Sequence, residues 1–195
     1  MRTFVILAHK APLTHEFSLN DLPGGAGRID VLCRCVTASF CLSHGIRKDV
    51  QVYLVFQNQL VVRLHGETLR HLNPDERSTA ALLQKALKAQ SECVGEQEVQ
   101  STSGIFVSRR GLPQLLEQLQ SQNTKIIQLH EAGAPLRNTV LPTNCAFLLS
   151  DHLEFDPAED ALLSQALRLN LGPKSLHADH CITIVHNELD LREIN

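Results

Sequence analysis

Apolar residues along the chain fall into short β-branched runs that alternate with longer segments of helical period. Helices are predicted to begin near Ile29, Pro74, Gly111, Pro157 and Leu176. Strands are predicted at 3–9, 50–56, 60–65, 104–108, 125–130, 145–150 and 166–171. Alternation of strands and helices is typical of an α/β fold with a mostly parallel sheet.

Local signals place the ends of several helices. Ile29, Leu32 and Val36 recur at spacings of three and four, which predicts an amphipathic helix that Gly45 stops. Asp156 followed by Pro157 is typical of a helix N-cap with proline at the first helical position. The polar stretch 91–104 is predicted to be a surface connection.

Composition limits the class of protein. The 195 residues suit a single domain, 1–195, and the 43% hydrophobic content is enough for a core. The formal net charge of -3 argues against a uniformly basic nucleic-acid binder, although a local basic patch stays open. The apolar run from Phe4 to Ala8 is too short for a secretory signal or a membrane span, so a cytoplasmic protein is expected. The six cysteines lie mostly in apolar surroundings, as core thiols do.

The stretch "PGGAGRID" looks at first like a nucleotide loop. Gly24, Gly25 and Gly27 lack the G-x-G-x-x-G spacing directly after a strand, and no Gly-Lys-Ser/Thr follows. The glycines do precede a helix, whose free N–H groups attract anions, and Arg28 adds a fork-shaped phosphate donor. A flexible loop entering a helix is the competing interpretation.

Metal and hydrolase motifs are incomplete. Cys33 and Cys35 point in different directions on a helix, so a core cysteine beside a less buried one is expected rather than a metal site. His177 and His180 can share a helical face, but no Cys/His spacing supports zinc, and no metal is predicted. "SDH" at 150–152 lacks the G-x-S-x-G context of a hydrolase.

Three loops follow predicted strands and can converge on one pocket. They are "LHEAGAPL" (129–136), "LLSDHLEF" (148–155) and "LNLGPKSLHADHCI" (169–182). The carboxyl ends of parallel strands are where α/β folds bind ligands.

Several stretches, taken together and in order, resemble the TrmY-type tRNA pseudouridine N1-methyltransferases. They are "RTFVILAHKAP", "FSLNDLPGGAGRIDVLCRCV", "LSHGIRKDVQVYLVF", "LLSDHLEF" and "SLHADHCITIVHNELD". The resemblance implies a SPOUT fold with a C-terminal trefoil knot, S-adenosylmethionine bound in the knot, a homodimer, and methylation of N1 of a pseudouridine in tRNA. The sequence is also expected to stand closer to bacterial than to archaeal members.

The resemblance further implies a set of cofactor contacts on three loops. Ser150 stands where archaeal members more typically have glycine, which is expected to narrow the space near the cofactor. The implied contacts are Leu129, Ser150, Leu171, Gly172, Pro173, Lys174, Ser175, Leu176 and Cys181.

The glycine loop is expected to face the RNA and the target base. Asp21 and Asp30 are the candidate acceptors for the N1 proton, although a carboxylate there more often caps a helix. Arg28 is expected to hold a phosphate or polarise a base carbonyl, with Arg34 and Arg47 as weaker RNA contacts. Three alternatives stay open: a catalytically silent knotted RNA- or cofactor-binding protein, a methyltransferase for another base such as one in rRNA, and an unrelated nucleotide-binding or hydrolase-like enzyme.

Overall fold

A computed structural model of the protein describes residues 1–194. In that range the strands are β1 Arg2–Ala8, β2 Cys41–Leu42, β3 Gly45–Ile46, β4 Val50–Phe56, β5 Leu60–His65, β6 Val99–Thr102, β7 Ile105–Ser108, β8 Lys125–Pro135, β9 Cys145–Ser150 and β10 Leu167–Asn170. The helices are α1 Ile29–Phe40, α2 Glu76–Ala89, α3 Leu112–Ser121, α4 Pro157–Leu162 and α5 Ala178–Ile194. Within this part of the chain no helix is long and apolar enough to cross a membrane.

Eight strands form one sheet in the order β10-β8-β9-β1-β4-β5-β7-β6. The first five strands in this order run parallel, and the last three add antiparallel pairings. Strand β1 lies between β4 and β9, and all seven of its residues are buried. The mostly parallel α/β sheet predicted from the alternation of elements is therefore confirmed.

Side chains alternate between the two faces of β1 because successive residues of a strand point in opposite directions. Phe4 and Ile6 belong to the larger apolar cluster, which includes residues of α1, α2 and α5. Val5 and Leu7 belong to a smaller cluster that includes the leucines of α3. The sheet is thus covered on both faces, as a buried parallel sheet requires.

The structure differs from the sequence-based expectation at two short elements. Val99–Thr102, within the predicted surface connection, forms the edge strand β6. An edge strand pairs on one side only, so polar residues can form it without an apolar pattern. Cys41–Leu42 and Gly45–Ile46 form a separate small antiparallel pair after α1.

Cys33 and Cys35 are both fully buried, so the expectation that one of them is less buried is wrong. Both cysteines are buried because α1 packs against the sheet and also against α2 and α5.

Gly27 provides a test of how tightly the loop before α1 is packed against the end of β1. Its φ is +55°, and a Cβ there would lie 1.9 Å from the carbonyl oxygen of Lys10. Gly95 has φ +57°, but a Cβ there would meet nothing within 4 Å. In both alanine variants the left-handed backbone lowers the free energy of unfolding by about 1 kcal/mol. Only Gly27→Ala also forces the loop away from the Lys10 carbonyl.

We expect Gly27→Ala to lower the free energy of unfolding by roughly 2–4 kcal/mol, against about 1 kcal/mol for the control Gly95→Ala. Urea denaturation of the two variants beside the wild type measures the difference. Equal losses for the two variants would show that the loop relaxes away from Lys10 at no cost.

Candidate functional site

A cavity of about 380 Å³ opens at the carboxyl ends of β9 and β10 and beside the middle of β8, where Leu129 and Glu131 line it. The strand expected to end at 130 continues to Pro135, so most of the expected loop 129–136 lies within β8. Strand β8 lies between β9 and β10 in the parallel part of the sheet, which brings the three segments together at one edge. Eight of the residues expected to contact the cofactor line it: Leu129, Ser150, Leu171, Gly172, Lys174, Ser175, Leu176 and Cys181. The three loops that follow predicted strands do converge on one pocket.

Pro173 is the one member of the expected set that does not line the cavity. It is exposed, between Gly172 and Lys174, which both do. Its expected contact with a cofactor stays a prediction.

The cavity wall has an apolar part and an acidic part. Leu129, Leu149, Leu169, Leu171 and Leu176 supply the apolar surface. Glu131, Asp151, Glu154 and Asp160 supply carboxylates, against the single fixed cation of Lys174 among the described lining residues. No motif marked these acids as site residues, although Glu131, Asp151 and Glu154 lie in the segments 129–136 and 148–155 that were expected at the pocket.

Ser150 does not obstruct this cavity with a free hydroxyl. Its Oγ donates a hydrogen bond to the carbonyl oxygen of Leu153, three residues further along the loop. The hydroxyl that replaces the more typical glycine is therefore engaged in closing the turn after β9. The expected narrowing of the space near the cofactor stays a prediction.

Cys181 presents a thiol rather than a thiolate to the cavity. Burial raises its pKa to about 11, and the neighbouring Asp179 carboxylate acts in the same direction. Its Sγ lies 3.8 Å from the carbonyl oxygen of Leu176, which also lines the cavity. A protonated, half-buried thiol is a packing surface and not a nucleophile.

Arg28 and Asp30 form a paired unit at the start of α1. Nε and Nη2 of Arg28 donate to the two Asp30 carboxylate oxygens at 3.0 and 3.1 Å. Arg34 donates a further hydrogen bond of 2.9 Å to Oδ2 of Asp30. Burial alone would raise the pKa of Asp30, but these hydrogen bonds outweigh it and hold the pKa below its usual value. Asp30 is thus a weak base whose oxygens are already occupied.

The glycine loop is organised by Asp21. Its two carboxylate oxygens accept hydrogen bonds from the Gly24 and Gly25 amides, at 3.0 and 2.8 Å. Two of the amides expected to attract an anion are therefore already bonded within the loop. Arg28, whose side chain is 40% exposed, is left as the positive group of this loop that can reach a ligand.

The other candidate groups have structural partners. Arg34 contacts Asp30 and Glu76, and Arg47 forms a two-fold contact with Asp190 at 3.0 and 2.6 Å. His177 precedes α5, so it shares no helical face with His180, although the two ring centroids lie 5.7 Å apart. Across residues 1–194 no group of three or more His, Cys, Asp or Glu side chains could hold a metal ion.

Known proteins resemble this chain over nearly its whole length. Haloarcula marismortui and Haloferax volcanii each have a relative named tRNA (pseudouridine(54)-N(1))-methyltransferase, and both are 50% identical over 192 residues. Each alignment covers 97% of this chain and 96% of the relative. These relatives are archaeal, so the expected closeness to bacterial members is not borne out.

The fold is shared with a solved methyltransferase structure. Archaeoglobus fulgidus Nep1, solved bound to S-adenosylhomocysteine, superposes with a TM-score of 0.71 at 15% identity, covering 100% of this chain and 99% of Nep1. This likeness confirms the predicted SPOUT fold class, while the trefoil knot stays a prediction. The family described as "Putative SAM-dependent RNA methyltransferase" matches residues 1–194, and with relatives of 50% identity this shows that the chain belongs to that family.

Proposed function

We propose that this protein transfers a methyl group from S-adenosylmethionine to N1 of a pseudouridine in tRNA. The observation that carries the proposal is the cavity at the ends of β9 and β10 and beside β8, in which eight residues expected to hold the cofactor come together. The names of the archaeal relatives support both the base and the class of RNA. A tRNA substrate also supports a cytoplasmic location.

The cavity fits the proposed cofactor in size and chemistry. Its volume of about 380 Å³ lies within the usual range for small-molecule sites. The leucines can hold a flat adenine ring, and Lys174 can hold the carboxylate of the methionine part. When bound, S-adenosylmethionine supplies an electrophilic methyl group on a cationic sulfur. The four carboxylates of the wall favour that cation, and the chain's task is to align it with N1.

The substrate side of the reaction needs an acceptor for the N1 proton. Asp30 fits this role poorly because the arginines occupy its oxygens and lower its pKa. Asp21 is exposed and accepts only the two glycine amides, so lone pairs are left for a substrate. We therefore assign Asp21 as the candidate acceptor, Arg28 as the RNA contact, and Asp30 as the group that fixes Arg28.

The functional alternatives lose part of their support. A catalytically silent protein was favoured mainly by Ser150 in place of glycine, and the Ser150 hydroxyl bonds to the Leu153 carbonyl within its own loop. A methyltransferase for another RNA base keeps the same cofactor cavity, so the test has to distinguish bases and RNAs.

The central test is a methylation assay on matched RNA substrates. Purified protein with S-adenosylmethionine is expected to form N1-methylpseudouridine, detected by nucleoside mass spectrometry, in a tRNA that carries pseudouridine in the TΨC arm. The matched control is the same transcript with uridine at that position, whose N1 carries the ribose and cannot be methylated. Calorimetry with S-adenosylhomocysteine reports the cofactor cavity separately. Product on rRNA but none on the pseudouridine-containing tRNA would overturn the substrate assignment, and absence of binding heat would overturn the cofactor assignment.

Arg28→Ala separates the RNA contact from the cofactor cavity. We expect it to weaken tRNA binding. The slope of the logarithm of the binding constant against the logarithm of the salt concentration should become shallower by about 0.7–0.9 for each lost phosphate contact. The affinity for S-adenosylhomocysteine is expected to stay within about twofold. The matched control is Arg109→Ala, which removes an exposed arginine beyond β7. Loss of cofactor binding with unchanged RNA affinity would mean that the glycine loop serves the cofactor instead.

The proposed assembly is a homodimer. The resemblance to the TrmY-type methyltransferases supports this assembly. Sedimentation at micromolar concentration is expected to give twice the chain mass of 21.7 kDa, and a species of the chain mass alone would contradict the dimer.

A further inference from the structure

His9 lies directly after β1 with a carboxylate at each ring nitrogen. Nδ1 is 3.0 Å from Oδ1 of Asp151, and Nε2 is 3.0 Å from Oε2 of Glu159. The backbone N–H of His9 also donates to the second Asp151 oxygen at 2.9 Å. Since a carboxylate accepts and does not donate, both ring nitrogens carry hydrogen and the imidazole is a cation.

The surroundings of this histidine favour its charge. The hydrogen bond that the ring donates to Asp151 raises the pKa of His9 most, and together with the bond to Glu159 it outweighs burial and brings the pKa to about 9. A small cavity of about 210 Å³ lies beside His9 and Glu159, and Asp156 also lines it. His152 Nδ1 lies 3.5 Å from Oδ2 of Asp151, and Arg28 contributes a more distant positive charge to that carboxylate. The net environment is acidic, so His9 stays protonated at neutral pH.

The two carboxylates are also the ends of one chain segment, residues 151–159. Asp151 accepts a further bond from the Leu153 amide at 2.9 Å, which closes the turn after β9. Glu159 accepts from the Asp156 amide at 2.9 Å with the same oxygen that faces His9, and so caps α4. Between these anchors, Glu154 and Phe155 line the cofactor cavity, as Asp151 itself does.

We propose that His9 is a positioning residue that fixes segment 151–159 as one wall of the cofactor cavity and thereby sets the affinity for the adenosyl cofactor. The inference rests on the proposed function for the identity of that cofactor. His9 itself does not line the cavity, and it acts through the two carboxylates that it bridges. A bridge of this kind ties the end of β1 to α4, and it adds side-chain contacts to the backbone bond of 3.0 Å that the Asp151 amide donates to the Leu7 carbonyl oxygen.

The bridge through His9 weakens as the pH rises. The pKa of His9 is raised above its ordinary value of 6.5 to about 9, so the bridge is complete below about pH 6.5 and is lost as the pH rises through about 9. Deprotonation leaves one ring nitrogen without hydrogen opposite a carboxylate, which repels the wall segment instead of holding it.

The test compares His9→Gln, Glu159→Gln and the control His65→Gln, which changes the histidine that ends β5. Wild-type affinity for S-adenosylhomocysteine by calorimetry is expected to fall as the pH rises through about 9. His9→Gln is expected to bind about tenfold more weakly at neutral pH and to lose that pH dependence. Glu159→Gln keeps a hydrogen-bond acceptor but removes a charge, so its affinity is expected to fall at a lower pH than that of the wild type. His65→Gln is expected to match the wild type.

A second measurement needs no cofactor. Hydrogen exchange of the amides in segment 151–159 is expected to be faster in His9→Gln than in the wild type, while exchange in β4 and β5 stays unchanged. Wild-type affinity and wild-type exchange in His9→Gln would overturn the inference. If the wild type binds no S-adenosylhomocysteine, the proposed function fails, and the exchange measurement still decides the role of His9.

Discussion

The site depends on strand β1 being buried in the middle of the parallel sheet. All seven of its residues are enclosed, with β4 on one side and β9 on the other, so its position and register are fixed by the core. His9 and Lys10, the next two residues, are therefore held next to a fixed strand end. His9 contacts Asp151 and Glu159 beside the cavity, and the Lys10 carbonyl lies where a Cβ of Gly27 would be. One strand end therefore positions both the cofactor wall and the loop proposed to meet RNA.

Much of the architecture could be predicted from local patterns because the parallel strands are apolar runs with few interruptions. The convergence of segments 129–136, 148–155 and 169–182 also followed from the position of each after a predicted parallel strand, although most of the first segment lies within β8. Edge strand β6 did not follow, because its polar residues carry no period that distinguishes them from a connection. The correct family came from residues resembling known proteins, and no periodicity indicates a knot.

The contacts that define the chemistry were less accessible to sequence. His9 is 142 positions from Asp151 and 150 from Glu159, and nothing local indicates that they meet. Arg28 and Asp30 are close in sequence, but residues two apart on a helix face different ways. They meet because Arg28 precedes the helix with φ 65°, a left-handed conformation that turns its side chain back onto Asp30. A glycine-rich loop with aspartates could equally supply a base or a cap, and the hydrogen bonds decide between them.

The distribution of charge explains how an acidic protein can act on RNA. The cofactor wall carries four carboxylates against one lysine, which suits a cationic sulfonium but repels phosphate. In the proposed reaction this wall would exclude an RNA backbone from the cavity and admit an uncharged base to the methyl group. Arg28, the proposed phosphate contact, does not line the cavity, and Asp30 orients it without covering it. On this proposal the target base would leave its stack to enter the cavity, because the same acidic wall that favours the cofactor keeps the rest of the RNA out.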